Sequence, residues 1–187
     1  MPDERLPRLV ELACHDLRTP LATISGFAKT LTRTGELNDR DAHFVEVIDE
    51  AAGQLAVLVD LLAQAARIES GRYAPPVAEV DTMELARAFV DERITVEGAG
   101  LPVETSRDAV GSALGLLAVA AIRFGEVPAV SWRVRGRELA LSPLAPAAEP
   151  VVTGATPRDL GALVARMTIE ALGGAISVGY GSLAVQL

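Results

Sequence analysis

One cysteine, Cys14, stands in 187 residues, so no intramolecular disulfide can form and no Cys-based zinc site is present. Asparagine and lysine are equally scarce: Asn38 and Lys29 are the only ones, and aromatics make up 4% of the chain. A surplus of basic residues is also lacking, since the formal charge is −8. Nucleic-acid binding needs a basic face to neutralise phosphates, and an anionic membrane surface makes the same demand. Long hydrophobic runs are missing too. The longest weakly polar stretch, Ala109 to Ile122, is 14 residues and contains Gly and Ser, short of the roughly 20 that span a bilayer. The opening Met-Pro-Asp-Glu-Arg-Leu-Pro-Arg has no apolar signal core. The sequence therefore predicts a cytoplasmic chain with neither nucleic acid nor membrane as partner.

What is present is apolar mass, half of the residues, mostly Ala, Leu and Val. The chain divides at Arg72 to Pro76, giving expected domains 1–74 and 75–187. The first reads as two long helices. In the second of these, Phe44, Ile48, Ala51, Leu55, Leu58, Leu62 and Ala65 step by alternating fours and threes, a heptad seam. In the first, Val10, Ala13, Leu17, Leu21, Ile24, Ala28 and Leu31 do nearly the same, with a doubled four around Pro20, where a backbone hydrogen bond must be lost. Residues 35–39 connect them, with Asn38 or Asp39 as N-cap. Leu9, Leu12, Val45, Val47 and Leu61 widen the apolar face. A lone hairpin cannot bury both seams, so a second copy is expected, making a homodimeric four-helix bundle.

The second domain mixes patterns. Val77–Val80, Ile94–Glu97, Val103–Thr105, Val130–Val134, Glu138–Ser142, Ala175–Val178 and Ser182–Gln186 read as strands, the fourth and fifth as a hairpin around Gly136. Met83–Glu92, Asp108–Phe124 and Pro157–Leu172 read as helices. The expected fold is a small α+β sandwich, a sheet with helices on one face.

The segment that carries chemistry is His15-Asp16-Leu17-Arg18-Thr19-Pro20-Leu21. His15 lies off the seam, Asp16 adjoins it, and Thr19 follows Asp16 by one turn. An imidazole beside a carboxylate is either a solvated histidine next to an acid or a nucleophile with a general base at hand. The string, followed by Ile24 and Gly26, closely resembles the phosphoacceptor box of bacterial two-component histidine kinases. Arg67-Ile68-Glu69-Ser70-Gly71-Arg72 is similar to the end of the second helix in their dimerisation domain. The resemblance implies that His15 is the phosphoacceptor through Nε2 and that Asp16 orients and deprotonates it. It also implies that Arg18 neutralises phosphoryl charge, that Pro20 bends the helix, and that Thr19 with Asp16 positions a hydrolytic water on a receiver. Read from residues alone, Arg18 could be a surface charge and Thr19 an N-cap for a helix restarting at Pro20. Cys14 reads as a small packed residue and His43 as a polar surface residue.

Residues 77–187 resemble the ATP-binding domain that follows this hairpin in histidine kinases, in degenerate form. The family's Asn-bearing helix aligns with Leu116 to Phe124, and its two Asn positions are Leu116 and Ala120 here. Mg²⁺ prefers hard oxygen ligands, which neither supplies. Where an Asp-x-Gly-x-Gly box is expected stands Pro143-Leu144-Ala145-Pro146-Ala147-Ala148-Glu149-Pro150. The next glycine-rich loop is reduced to Arg158-Asp159-Leu160-Gly161-Ala162-Leu163, and one Gly cannot bring several backbone N–H groups to phosphates. The favoured expectation is a histidine phosphotransfer protein of a two-component phosphorelay, exchanging phosphoryl groups with response-regulator receiver domains. No cofactor is expected on this chain, and Mg²⁺ is expected on the partner receiver. The alternative is a non-catalytic pseudokinase, a regulatory or phosphatase module. An active autokinase fits the missing Asn residues least.

Overall fold

A computed structural model describes residues 5–34 and 37–187. Gly35 and Glu36, part of the expected connection, lie outside the described residues, as do the residues before Arg5 and the side chain of Leu9. The chain separates into two compact units, Met1–Arg72 and Tyr73–Leu187.

The first unit is a hairpin of α1 (Arg5–Thr34) and α2 (Asp39–Glu69). Asn38 is the N-cap of α2: its side-chain oxygen accepts from the Asp41 backbone N–H at 3.0 Å. Helix α1 runs unbroken through Pro20, so Thr19 is an interior helical residue and not the cap of a restarted segment. The seam between the helices differs from the expected one. On α2 the buried positions are Val45, Ala52, Val59, Ala63 and Ala66, and on α1 they are Cys14, Leu21 and Ala28. The heptad of larger residues lies one position away and outward: Phe44, Ile48, Leu55, Leu58 and Leu62 are all exposed in the single chain. On α1 the expected seam is shared out, with Leu21 and Ala28 facing α2 while Leu17, Ile24 and Leu31 stay exposed. Small residues let the two helices approach closely, and that takes the larger residues off the contact line.

The second unit builds a five-stranded sheet in the order β2-β4-β5-β7-β6 from β2 (Ile94–Gly100), β4 (Val130–Gly136), β5 (Glu138–Ser142), β6 (Ala175–Gly179) and β7 (Ser182–Gln186). Strands β2 and β4 are parallel, and the other pairs are antiparallel. Strands β1 (Ala78–Asp81) and β3 (Pro102–Thr105) leave this sheet and pair with each other, a separation the sequence did not predict. Register sets Trp132 opposite Leu141, Val134 opposite Leu139, and Leu139 and Leu141 opposite Val185 and Leu183. All six are buried, so alternate residues of three strands make one apolar face. Tyr180 and Gly181 both take positive φ, 52° and 71°, the pair of left-handed residues that a tight two-residue hairpin turn requires.

Helix α3 (Thr82–Arg87) is shorter than expected. Phe89 turns off its end and packs over Gly111 and Gly115 of α4 (Arg107–Gly125). Asp91 then accepts from the Arg93 backbone N–H at 2.8 Å, which sends the chain into β2. Helix α6 (Leu160–Ala171) starts later than expected because Asp159 caps it, accepting from the Ala162 N–H at 2.8 Å. A one-turn helix, α5 (Glu149–Val152), interrupts the proline-rich stretch and buries Val151 and Val152. By length and composition alone, α4 is long and apolar enough to cross a membrane, but half of it is buried in this unit's core.

Candidate functional site: the His15 turn and the α4–α6 contact

Helix α1 presents His15, Asp16, Arg18 and Thr19 within one turn and a half, all exposed. His15 is 78% exposed at its side chain, and its Nδ1 lies 3.1 Å from Oδ1 of Asp16. A carboxylate accepts, so in this contact the donor is an Nδ1–H tautomer, the one that keeps the Nε2 lone pair for chemistry. Thr19 sits on the Asp16 side of the helix, and its carbonyl accepts from the Thr23 hydroxyl at 3.0 Å. Pro20 has no N–H to return to the carbonyl of Asp16.

Arg18 reaches in another direction. Its Nε and Nη2 donate to Oδ1 of Asp60 on α2, at 3.1 and 2.8 Å. The structure thus joins His15 to Asp16 and joins Arg18 to the opposite helix. Below this pair, the Ser25 hydroxyl donates to Oδ1 of Asp49 at 2.5 Å, and Lys29 Nζ stands 4.0 Å from the same oxygen. The sequence alone gave no sign of Asp60 or Asp49, because cross-helix partners depend on a register that only the small-residue seam reveals. Cys14 is buried beside Leu21, Val59 and Ala63, and His43 is exposed next to Phe44, ring centroids 6.4 Å apart.

In the second unit the residues at the family's nucleotide positions are apolar and packed. Ala120 is 1% exposed, and Leu116 packs against the core. A Cβ built on Gly161 would lie 3.0 Å from Cδ2 of Leu116 and 3.1 Å from Oδ1 of Asp159. Leu116 of α4 thus stands close against the first turn of α6. Asp159 is committed as well: one oxygen caps α6, and the other stands 3.7 Å from Nη1 of Arg123 at the end of α4. Leu116 and Ala120 offer no oxygen ligand of the kind that Mg²⁺ takes.

Residues 7–71 match the His Kinase A (phospho-acceptor) domain. The sensor protein DivL of Caulobacter vibrioides is 32% identical over 111 residues, which are 56% of this chain and 14% of DivL. The histidine protein kinase DivJ of the same bacterium is 32% identical over 99 residues, 52% of this chain and 15% of DivJ. The chain thus matches under a sixth of the length of these two relatives. Among solved structures, full-length ShkA in complex with AMPPNP superposes with a TM-score of 0.70 at 22% identity, over 96% of this chain and 44% of that one. The Acinetobacter baumannii histidine kinase AdeS gives 0.55 at 19% identity, over 92% and 96%. These likenesses show the fold: a helical hairpin followed by an α/β domain of the histidine kinase ATPase-like kind. Together the matches support a two-component histidine kinase core.

Proposed function

With a two-component histidine kinase core as premise, we propose that this chain is a histidine phosphotransfer protein. It moves a phosphoryl group between His15 and the aspartates of receiver domains without binding ATP. The observation that supports this reading above others is that apolar Leu116 and buried Ala120 stand where the resemblance places two Asn, while the His15–Asp16 pair stays open.

In the transfer, the Nε2 lone pair of His15 attacks phosphorus of an aspartyl phosphate. The P–O bond to the aspartate breaks, and the carboxylate leaves on the receiver. The imidazole becomes a phosphoimidazolium whose Nδ1 proton is held by Asp16 at 3.1 Å. The return step runs the same bonds backward. The receiver contributes Mg²⁺ and the aspartate; the hairpin contributes nucleophile and docking face, so the rate rests on positioning and charge. Thr19, on the Asp16 face, serves loss of phosphate from the receiver, not the transfer. A homodimer covers the exposed heptad of α2, and the relay works in the cytoplasm.

The test is incubation with a panel of phosphorylated receivers. Acid-labile label is expected on the wild-type chain and none on His15→Ala. Label persisting on His15→Ala would move the acceptor to His43. A wild-type chain that no receiver labels would hand the assignment to the non-catalytic reading.

A further inference from the structure

We infer that Asp60 is a latch on Arg18: it holds the guanidinium in the cross-helix groove and away from His15 until a phosphoryl group competes for it. The inference rests on His15 being the phosphoacceptor. Arg18 follows His15 by three residues, so one turn of α1 sets the two side chains on neighbouring positions. Yet both guanidinium contacts go to Oδ1 of Asp60. The pair lines a groove of about 400 Å³ with Leu21, Ser25, Ala52 and Gly53, and His15 is not part of that lining. The one cation closest in sequence to the nucleophile is thus held on the other helix. Within one turn of His15 on α1 stand two carboxylates: Glu11 is paired with Arg72 at 3.0 Å, and Asp16 faces the ring itself, so with Arg18 drawn to Asp60 no α1 guanidinium offsets Asp16 there.

The latch is weak by construction. Arg18 and Asp60 are 45% and 66% exposed, and an ion pair so open to water shifts an equilibrium only a few-fold. A phosphoryl group offers more charge and more acceptor oxygens than one carboxylate, and guanidinium favours it. Arg18 is therefore released by the phosphoryl group itself, once a docked partner delivers it.

Phosphoramidate tests this without any receiver. The Nε2 lone pair of His15 attacks the phosphorus of N-protonated phosphoramidate, the P–N bond breaks, ammonia leaves with the proton its nitrogen already carried, and the ring proton stays on Nδ1 facing Asp16. The full chain is labelled at low salt, and the rate of phosphohistidine formation is followed. Asp60→Asn keeps an acceptor for Arg18 but removes the competing charge; labelling about threefold faster is expected. Asp60→Glu restores the charge and should return the wild-type rate. In an Arg18→Gln background, Asp60→Asn should lose most of its effect, and added salt should narrow the gap between wild type and Asp60→Asn. An unchanged or slower rate in Asp60→Asn overturns the latch. So does an equal acceleration without Arg18, or the absence of labelling in both wild type and Asp60→Asn. If phosphoramidate labels His15 with the expected pattern while no receiver does, the relay reading falls and the latch stands. If receivers label His15 and Asp60→Asn leaves the phosphoramidate rate unmoved, the reverse holds.

Discussion

The two units spend their hydrophobic residues in opposite ways. The α/β unit places Trp132, Leu139, Leu141 and Leu183 at 1% exposure or less in a closed core. The hairpin buries mainly alanine, valine, Cys14 and Leu21 between its helices and leaves most of its leucines outside, Leu55 at 51%. Polar chemistry divides the other way. The exposed His15–Asp16 pair sits on the hairpin, whereas the α/β unit carries Leu116 and the buried Ala120 on α4. An exposed leucine heptad is the kind of apolar patch that marks an interaction surface, and it is the basis of the proposed dimer.

The sharpest break of this comparison is Leu55→Asp. A charge in the heptad would be desolvated in the dimer, and the expected result is loss of the dimer and of the hairpin's helical circular dichroism. Trp132, the only tryptophan, lies in the α/β unit and reports on that unit alone. Its emission should stay native in Leu55→Asp. Light scattering that found a stable folded monomer in the wild type would remove the basis of the contrast. The converse variant, Leu139→Ala, opens a cavity at a fully buried site and should cost the α/β unit about 2–5 kcal/mol in urea unfolding read by Trp132. Helical signal from the hairpin should persist past that transition.

Much of this division is legible in the residues. The heptad steps from Phe44 to Leu62 mark a long amphipathic helix, and the alternation from Val130 to Ser142 marks a half-buried hairpin, because periods of 3.5 and 2 are properties of sequence. The His15 string and the apolar Leu116 and Ala120 are legible for the same reason: they are local. What escaped is relational. The alanine and valine seam competes with the leucine seam one residue away, and only packing decides which one α1 takes. Asp60 and Asp49 become partners of Arg18 and Ser25 through that choice. The β1–β3 pairing depends on which edge Pro102–Thr105 finds, and the early end of α3 depends on Phe89 meeting two glycines of α4.

On the hairpin side, Asp16→Asn tests whether chemistry is concentrated there. The amide can still touch Nδ1 but cannot hold an imidazolium proton by charge, so transfer into His15 should slow by roughly a hundredfold. Light scattering should show the dimer unchanged; a variant at wild-type rate would leave Asp16 a bystander. On the other side, Ala120→Asn puts back one amide of the family's nucleotide helix. At 1% exposure it finds no water, and the expected cost is about 1–3 kcal/mol of stability in the urea transition. Leu116 still stands at the other Asn position, so calorimetry with millimolar Mg-ATP should show no heat of binding for wild type or variant. Saturable binding in the wild type would turn the reading toward an autokinase.

The smallest expected effect concerns how a thin seam is held. Between Leu21 and Ala28 the helices meet through small residues, and Ser25 closes the gap by donating its hydroxyl to Asp49 at 2.5 Å. The acceptor is charged, which strengthens the bond, but Asp49 is one-third exposed and keeps Lys29 nearby, so water can replace the hydroxyl. Ser25→Ala should therefore cost about 1 kcal/mol, at the low end for a hydrogen bond to a charged group. The loss should appear in thermal melting of the helical signal and not in the Trp132 transition. Ser25→Thr keeps the hydroxyl and should recover most of the difference. If Ser25→Ala melts as wild type does, the alanine and valine seam suffices without a polar tie. If it collapses the hairpin as Leu55→Asp is expected to, the narrow seam rather than the exposed heptad carries the fold of this unit.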